Sequence, residues 1–485
     1  MNFSYFRTHP WRTLAGSVLV LLAWILLLLQ LPLASTVADL ESNSGWVSQL
    51  TANKRLVAAA VGLVALALLA WIVLRRRFAW LWAGAAAGLL LVATYGAYKF
   101  QKEFPQAGLF DGQRYADTFA VLLGRDAAMS RVTPQDTLRL QRKVVERAAF
   151  PVIDVHFHLE SLPYNVSPQR LVQAMDAAGV QQIVNLGGNQ GAFEHFAKKF
   201  RDAYPDRFIL FVKPDADALT REGGVAREVE WLKKAARMGA RGIKENKSFG
   251  LGQLDQQGRI VPVDDPRLDP YWDLAGKLGI PVLVHTGEPT AFWQPIDPRN
   301  ERYAELLQHP DWSLHGQKVP SQAELMAQRE RLIAKHPDTI FIGAHMGMNA
   351  DDLEYAARLL DRYPNYYLDM STAVSELGRQ PYTARKFFIR YQDRILFGSD
   401  GGYRLSPDRD WTAERMYRSY FEFLETENEY VEYPLQSITK QGSWRVTGLG
   451  LPPEVLEKIY RGNALRLIPP SEQVIARLDA LEAKP

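Results

Sequence analysis

The hydrophobic and polar positions divide the chain into two parts near residue 100. Three long uncharged runs come before that point, and short apolar runs alternate with amphipathic segments after it. Each long run has the roughly 20 apolar residues that a helix needs to cross about 30 Å of hydrocarbon. The pattern predicts a membrane anchor over residues 1–100, with three transmembrane helices at about 13–34, 56–74 and 78–98.

Basic residues beside these runs predict the orientation of the anchor. Arg75, Arg76 and Arg77 stand in the short segment between the second and third runs, which favours an N-terminus on the inside. An odd number of spans then places everything after Lys99 outside. We therefore expect an integral protein of the inner or plasma membrane, in contact with the lipid bilayer, whose catalytic domain faces the periplasmic or outer side. A cleaved signal peptide is an alternative for the first run and leaves that side unchanged.

Residues 101–149 are amphipathic and charged, and we expect a helical connector there. From residue 150 the pattern changes to short β-branched runs, which suit parallel strands that are buried on both faces. Eight such runs predict strands at 152–158, 182–187, 207–213, 241–245, 281–286, 339–345, 366–370 and 394–400.

Amphipathic segments of helical period separate the predicted strands. The first, SPQRLVQAMDAAG, has a serine cap, a proline at its first position and a closing glycine. Repeated strand–helix alternation predicts an α/β fold, a (β/α)₈ TIM barrel over residues 150–470, followed by a C-terminal tail at 471–485. A doubly wound open sheet is the alternative, which the absence of a dinucleotide-binding glycine motif after the first strand disfavours.

Residues that can bind a metal stand at the ends of several predicted strands. His156 and His158 are two apart on one strand, so both imidazoles point to the same face. His285, His345 and Asp400 end the fifth, sixth and eighth runs. The carboxyl ends of barrel strands form the mouth where chemistry occurs. We expect these five side chains to surround one divalent ion.

Composition narrows the chemistry of this site. The chain has no Cys, which excludes disulfides, thiol nucleophiles and Cys-ligated metals. Imidazole and carboxylate ligands suit zinc best, with manganese or iron as alternatives. A net charge of +3 gives no reason to expect a nucleic-acid partner. We expect a small-molecule substrate, and a homo-oligomer is considered as well.

Five segments resemble one known family. DVHFHL, PVLVHTGEP, FIGAHMG, RILFGSD and IYRGNALRLI are similar to motifs of the amidohydrolase superfamily, in the branch that includes aminocarboxymuconate-semialdehyde decarboxylase. The resemblance covers about residues 150–470 and implies a TIM barrel of the metal-dependent hydrolase type. It implies that His156, His158, His285 and Asp400 bind the metal. It also implies that His345 is catalytic, beside the ion. A carboxylate beside a metal-bound water can bind the metal and also move a proton, so Asp400 is expected to do both. The residues alone leave the roles of His285 and His345 interchangeable.

Three further residues are candidates for substrate binding. Lys244 ends the fourth predicted strand and is expected to contact an anionic group; a structural ion pair is an alternative. The resemblance adds a third role for this lysine, a carbamylated bridge between two metals. Glu288 could orient a ligand or cap a helix, and Arg379 could bind an anion or form a surface salt bridge.

These features together predict a membrane-anchored, metal-dependent hydrolase that attacks an amide, ester or lactone carbonyl. A decarboxylase or hydratase of a small carboxylate is the second hypothesis, since relatives of this kind occur in the resembled branch. A non-catalytic membrane-anchored binding protein is the third, and the complete set of metal-capable residues argues against it.

Overall fold

The computed structural model describes residues 138–159, 167–188, 190–245, 247–402, 413–433 and 444–483. Within these residues, eight strands form one sheet, and each strand pairs in parallel with the next along the chain. The strands are β1 (Val152–Phe157), β2 (Val180–Asn185), β3 (Phe208–Val212), β4 (Ala240–Lys244), β5 (Val282–Val284), β6 (Phe341–Gly343), β7 (Tyr366–Asp369) and β8 (Ile395–Leu396).

The segment that follows β8 brings the two ends of the sheet together. Val155 of β1 donates its backbone N–H to the carbonyl of Phe397 at 3.0 Å, and the N–H of Asp400 donates to the carbonyl of His156 at 2.8 Å. Phe157 and Gly401 form a parallel bridge. Sequential parallel order with this closing contact is the topology of a TIM barrel, so the predicted fold class is confirmed for the barrel.

Helices follow the strands, as the alternation predicts. The α-helices are α1 (Pro168–Ala178), α2 (Gln190–Phe196), α3 (Ala216–Leu219), α4 (Gly224–Arg237), α5 (Asp269–Leu278), α6 (Tyr303–Gln308), α7 (Gln322–Lys335), α8 (Leu353–Arg362), α9 (Val374–Gly378), α10 (Pro381–Arg390), α11 (Ala413–Glu425), α12 (Pro453–Glu457), α13 (Asn463–Leu467) and α14 (Ser471–Glu482). The caps predicted for α1 are present: the Ser167 hydroxyl accepts from the N–H of Arg170 at 3.2 Å, and Gly179 ends the helix at φ 85°.

Apolar side chains fill the inside of the barrel. Strand residues such as Val155, Phe211 and Ile342 form one buried cluster together with Ala464, Leu467 and Ile468. Those last three residues belong to α13 or directly follow it, so the helix plugs one end of the barrel. A second, larger cluster lies between the strands and the surrounding helices. The plug leaves the opposite end, where the strands terminate, for a site.

The structure describes parts of the two segments that flank the predicted barrel. Residues 138–149, expected within a helical connector, contain no helix. Residues 471–485 were expected to be a tail, yet Ser471–Glu482 form α14, which buries Val474 and Leu478. Arg237 of α4 pairs with Asp479 at 2.9 Å and with Glu482 at 2.5 Å. The C-terminal segment is therefore packed on the barrel through apolar and charged contacts.

The expected localisation is corrected. Among the described residues, no helix is long and apolar enough to cross a membrane. The longest of them, α4 and α7, have 14 residues and span only roughly 21 Å, less than the hydrocarbon thickness. The three expected spans at 13–34, 56–74 and 78–98 lie outside the described residues. Because the structure describes no membrane-spanning helix, the expectation of an integral membrane protein with its barrel on the outer side, in contact with the bilayer, is withdrawn.

Candidate metal centre

The five metal-capable residues of the sequence lie on the strands or in the loops just after them. His156 lies in β1 and His158 one residue beyond it, while His285 directly follows β5. His345 stands two residues after the end of β6, and Asp400 four residues after the end of β8. β6 and β8 are therefore shorter than predicted, and they end before His345 and Asp400. Both of these residues still lie at the mouth of the barrel.

His156, His158 and Asp400 meet around one carboxylate oxygen. The Nε2 atoms of both imidazoles lie 3.3 Å from Oδ1 of Asp400. One ligand atom from each of the three residues falls within 4.8 Å of the others, which is the spacing of a shared metal ion. Asp400 adopts φ 55°, in the left-handed region that non-glycine residues rarely use. This backbone geometry turns its side chain toward the two imidazoles.

His285 has a buried ring nitrogen, Nε2, that makes no hydrogen bond to any described residue. Its ring centroid lies 4.6 Å from that of His345, whose own ring lies 4.9 Å from that of His156. Buried polar atoms are nearly always paired, so an unpaired imidazole nitrogen beside other imidazoles is consistent with a metal ligand.

His345 is anchored through the nitrogen that faces the loop after β7. Nδ1 lies 2.9 Å from the backbone oxygen of Ser371, and 2.9 Å from the hydroxyls of Ser371 and Thr372. A carbonyl oxygen can only accept, so Nδ1 carries the proton and Nε2 holds the lone pair. This tautomer equips Nε2 to accept a proton or bind a cation.

Asp369 is a residue of this site that the sequence analysis did not identify. It ends β7, is fully buried, and accepts from Nδ1 of His156 at 2.9 Å. Its other oxygen accepts from the backbone N–H of Ser371 at 2.9 Å and from that of His345 at 3.3 Å. The signal was available, because the predicted seventh strand contains this aspartate one residue before its end.

The charges of this cluster shift the pKa values of its members in opposite directions. Burial alone would lower the pKa of His156, but the carboxylates of Asp369 and Asp400 outweigh it and raise that pKa to about 9. Burial alone would raise the pKa of Asp369, yet the neighbouring His156 lowers it below its usual value. Burial, assisted by His156, lowers the pKa of His345 to about 4. Burial also lowers the pKa of His285 well below its ordinary value.

The donor set fits one divalent ion. The hydrogen bond from Nδ1 of His156 to Asp369 leaves its Nε2 directed at Asp400, and a carboxylate behind a ligating imidazole is the usual support of such a ligand. His158 adds a second imidazole to this set, and imidazole and carboxylate donors suit zinc, manganese or iron. A second set with the same spacing joins His156, His345 and Asp369. Neither set includes His285, whose ring lies 4.6 Å from that of His345.

Lys244 and Glu245 are adjacent buried residues where β4 ends. Burial lowers the pKa of Lys244 to about 8, and its Nζ donates to the backbone oxygen of Glu245 at 3.1 Å. Burial raises the pKa of Glu245 to about 8. Oε2 of Glu245 accepts from the backbone N–H of His285 at 2.9 Å. Among the described residues, no carboxylate lies within ion-pair distance of Lys244 Nζ, and Lys244 lies close enough to His285 to lower its pKa.

The other two predicted substrate-binding residues form ion pairs. Glu288 pairs with Lys247 at 3.0 Å. Arg379 donates two hydrogen bonds to Glu301, at 2.8 and 3.1 Å, and its guanidinium carbon lies 4.2 Å from the ring centroid of Trp444. For Arg379, the surface salt bridge weighed as an alternative is present.

A sequence profile described as amidohydrolase matches residues 153–469, well over half of the chain. The chain belongs to the amidohydrolase family. Its matched range begins in β1 and ends just after α13, so it covers the strands and the plug. No curated protein matches the chain.

Solved structures similar to this amidohydrolase include an uncharacterised TIM-barrel protein, a decarboxylase and a zinc-bound amidohydrolase. An uncharacterised TIM-barrel protein from Bordetella bronchiseptica is 17% identical, with 67% of this chain and 99% of that chain covered and a TM-score of 0.40. A 5-carboxyvanillate decarboxylase from Novosphingobium aromaticivorans, complexed with manganese and a nitrobenzoic acid, is 15% identical, with 68% and 99% covered and a TM-score of 0.39. A Burkholderia multivorans amidohydrolase with bound zinc is 13% identical, with 66% and 99% covered and a TM-score of 0.38. These identities are too low to transfer a reaction to this chain.

Proposed function

We propose that this amidohydrolase is a hydrolase that depends on one divalent metal ion. His156, His158, His285 and Asp400 would hold the ion, with zinc as the first choice. The observation that carries the proposal is the buried Nε2 of His285, which has no hydrogen-bond partner among the described residues. It stands beside a cluster in which two other imidazoles already face one carboxylate.

When bound, the ion would supply Lewis acidity at an amide, ester or lactone carbonyl and would lower the pKa of water in the site. Asp400 is the group that would receive a proton from that water, because its carboxylate is partly exposed, with 13% of the side chain accessible. Nε2 of His345 is a second acceptor, since Nδ1 keeps its proton on the carbonyl of Ser371. Whichever of these two groups receives the proton would then return it to the leaving group.

Lys244 would bind the substrate. Its ammonium is buried at the mouth, and its hydrogen bond to the carbonyl of Glu245 leaves the positive charge without a carboxylate counter-ion among the described residues. A buried charge of this kind is costly unless it gains an anionic partner. A substrate carboxylate would provide that partner, and it would also orient the scissile carbonyl over the imidazole cluster.

The same lysine supports a second candidate function, decarboxylation or hydration of a small carboxylate substrate. In that reaction Lys244 would hold one carboxylate while the metal site polarises the adjacent group. Glu288 and Arg379 support neither reaction, because Lys247 and Glu301 already neutralise them.

Metal analysis of the purified full chain tests the proposal. We expect one equivalent of zinc, manganese or iron in the wild type, and a large loss in H285A and in H158A. H195A is the matched control, because His195 is an exposed histidine on α2. Metal-free wild type, or metal retained in H285A, would overturn the proposed ligand set. A screen of esters, lactones, amides and carboxylic acids, with carbon dioxide release measured in parallel, separates hydrolysis from decarboxylation.

A further inference from the structure

The backbone that carries His345 is wound in the left-handed direction. His345, Met346, Gly347 and Met348 have φ values of 54°, 57°, 64° and 56° in succession. Only the third of these residues is a glycine, and L residues with a side chain disfavour this conformation. Such a run persists only where its surroundings hold it in place.

Arg329 of α7 forms hydrogen bonds with this turn and with the residue after it. Its Nη1 donates to the backbone oxygen of Gly347, and its Nη2 donates to Oδ1 of Asn349 at 2.8 Å. Its guanidinium carbon lies 5.6 Å from the ring centroid of Tyr366. The planar guanidinium therefore links Gly347, in the second half of the turn, to Asn349, which follows the turn.

Arg329 is fully buried, and among the described residues no carboxylate lies within ion-pair distance of it. A buried guanidinium without a carboxylate is unfavourable, and an apolar residue of similar size would be a more stable choice for packing alone. The presence of arginine at this position is explained if the turn needs two donors of fixed relative geometry, which the guanidinium provides.

Tyr366 of β7 packs against the same turn, beside Arg329. A Cβ atom on Gly343 or on Gly347 would overlap the hydroxyl of this tyrosine. The two glycines therefore allow the turn to approach β7, while Arg329 holds it from α7. Asp369 accepts from the N–H of His345, which ties the start of the turn to the same strand.

We infer that Arg329 is a positioning residue for His345. It acts through the backbone of residues 345–349: its two donors hold the left-handed turn, and the turn directs the imidazole into the histidine cluster, 4.6 Å from the His285 ring. The inference rests on the proposed function only in that His345 has a task at the metal site; the geometry of the turn is independent of any bound ion.

The test compares R329M with R331M in the full chain. Arg331 lies on the same helix, is 54% exposed and pairs with Asp264, so R331M controls for the loss of an arginine from α7. In metal-free crystals of R329M, we expect the φ of His345 to leave the left-handed region and its ring to move away from His285. We expect zinc affinity to remain that of the wild type, because His345 is not one of the four proposed ligands. R331M should change neither property.

If R329M does not fold, N349A is the second variant, because it keeps the buried arginine and removes the acceptor of Nη2. It should displace His345 in the same direction. His345 at its wild-type position in whichever of these variants folds would overturn the inference, even if the melting temperature drops, because a merely structural role lowers stability alone. Absence of zinc binding in the wild type would count against the proposed function instead.

Discussion

Oδ2 of Asp369 accepts a hydrogen bond from Nδ1 of His156 at 2.9 Å, across 213 residues of sequence. Because a carboxylate can only accept, this contact holds a proton on Nδ1 of His156. Asp400 faces Nε2 and helps to raise the pKa of the ring, so a metal would bind by displacing the proton from Nε2. The end of β7 thus determines which nitrogen of a β1 histidine is available to a metal.

Replacing this carboxylate with an amide should weaken metal binding. We expect D369N to lower zinc affinity about 10- to 100-fold, because the imidazole loses the negative charge that raises its basicity. Competition with a chromophoric chelator measures the affinity. D479N, which removes an exposed partner of Arg237, is the control and should bind zinc like the wild type. Equal affinities in the two variants would contradict the supporting role of Asp369.

Loss of the buried ammonium should affect charged ligands selectively. We expect K244M to raise the dissociation constants of carboxylates such as benzoate at least about tenfold, since a desolvated charge pair is worth roughly 2–5 kcal/mol. The neutral methyl esters should bind with unchanged affinity, as calorimetry can measure. K277M, an exposed lysine on α5, provides the comparison. A uniform loss across acids and esters would argue that Lys244 serves the fold rather than the ligand.

Glu245 should make the stability of the metal-free protein depend on pH. Burial raises its pKa from 4.5 to about 8, so between these values the folded chain holds a proton that the unfolded chain releases. Raising the pH through this interval therefore favours unfolding, with a full effect of several kcal/mol.

We expect E245Q to lose much less folding stability than the wild type as the pH rises. The amide resembles the protonated acid and keeps an acceptor for the N–H of His285. Urea unfolding with a chelator present, at pH 5 and pH 7.5, measures this loss of stability. The wild type should lose more stability than E245Q between the two values, while the exposed E354Q on α8 should follow the wild type. Parallel behaviour of E245Q and the wild type would refute the assignment.

Arg379 should contribute little to ligand binding. Its guanidinium is occupied by Glu301 and by the face of Trp444, at a site where both charged side chains are partly exposed. We expect R379A to reduce the free energy of unfolding by about 1 kcal/mol and to leave the affinity for carboxylates unchanged. A selective loss of carboxylate binding in R379A would restore it as an anion-binding residue.

Two glycines should respond in opposite ways to an added methyl group. A Cβ on Gly242 would overlap the buried ring of Phe211 inside the barrel, so G242A should lose about 1–3 kcal/mol. A Cβ on Gly191, in the first turn of α2, meets nothing within 4 Å, and G191A should gain about 0.5 kcal/mol. Thermal and urea unfolding of both variants check the prediction.

Hydrophobic periodicity was sufficient to predict all eight strands, because a buried parallel strand needs a continuous apolar run and each run is bounded by turn residues. It placed the ends of several strands too far along the chain. The run TIFIGAH predicts a strand through His345, but the strand ends at Gly343 and the chain then enters the left-handed turn. No apolar pattern encodes that change, because Met346 and Met348 would suit a strand or a helix equally.

The histidines and Asp400 could be predicted as a group because each follows a recognisable strand. The residues that position these side chains could not be predicted from the sequence. Arg329 has the sequence context of an ordinary charged position on an amphipathic helix, and its complete burial follows from where β6 and β7 place the turn. For Arg379 and Glu288, the sequence did not contain the information that Glu301 and Lys247 lie within reach.

The plug formed by α13 affects the order in which the molecule can assemble. Ala464, Leu467 and Ile468 fill the floor of a barrel whose first strand begins at Val152, so the interior stays open to water until some 310 residues after that strand have been synthesised. A ribosome-bound chain that lacks this helix would expose the apolar inner faces of its strands. We expect premature termination before residue 464 to yield aggregates rather than a smaller working enzyme, since contacts so distant in sequence form late and slowly.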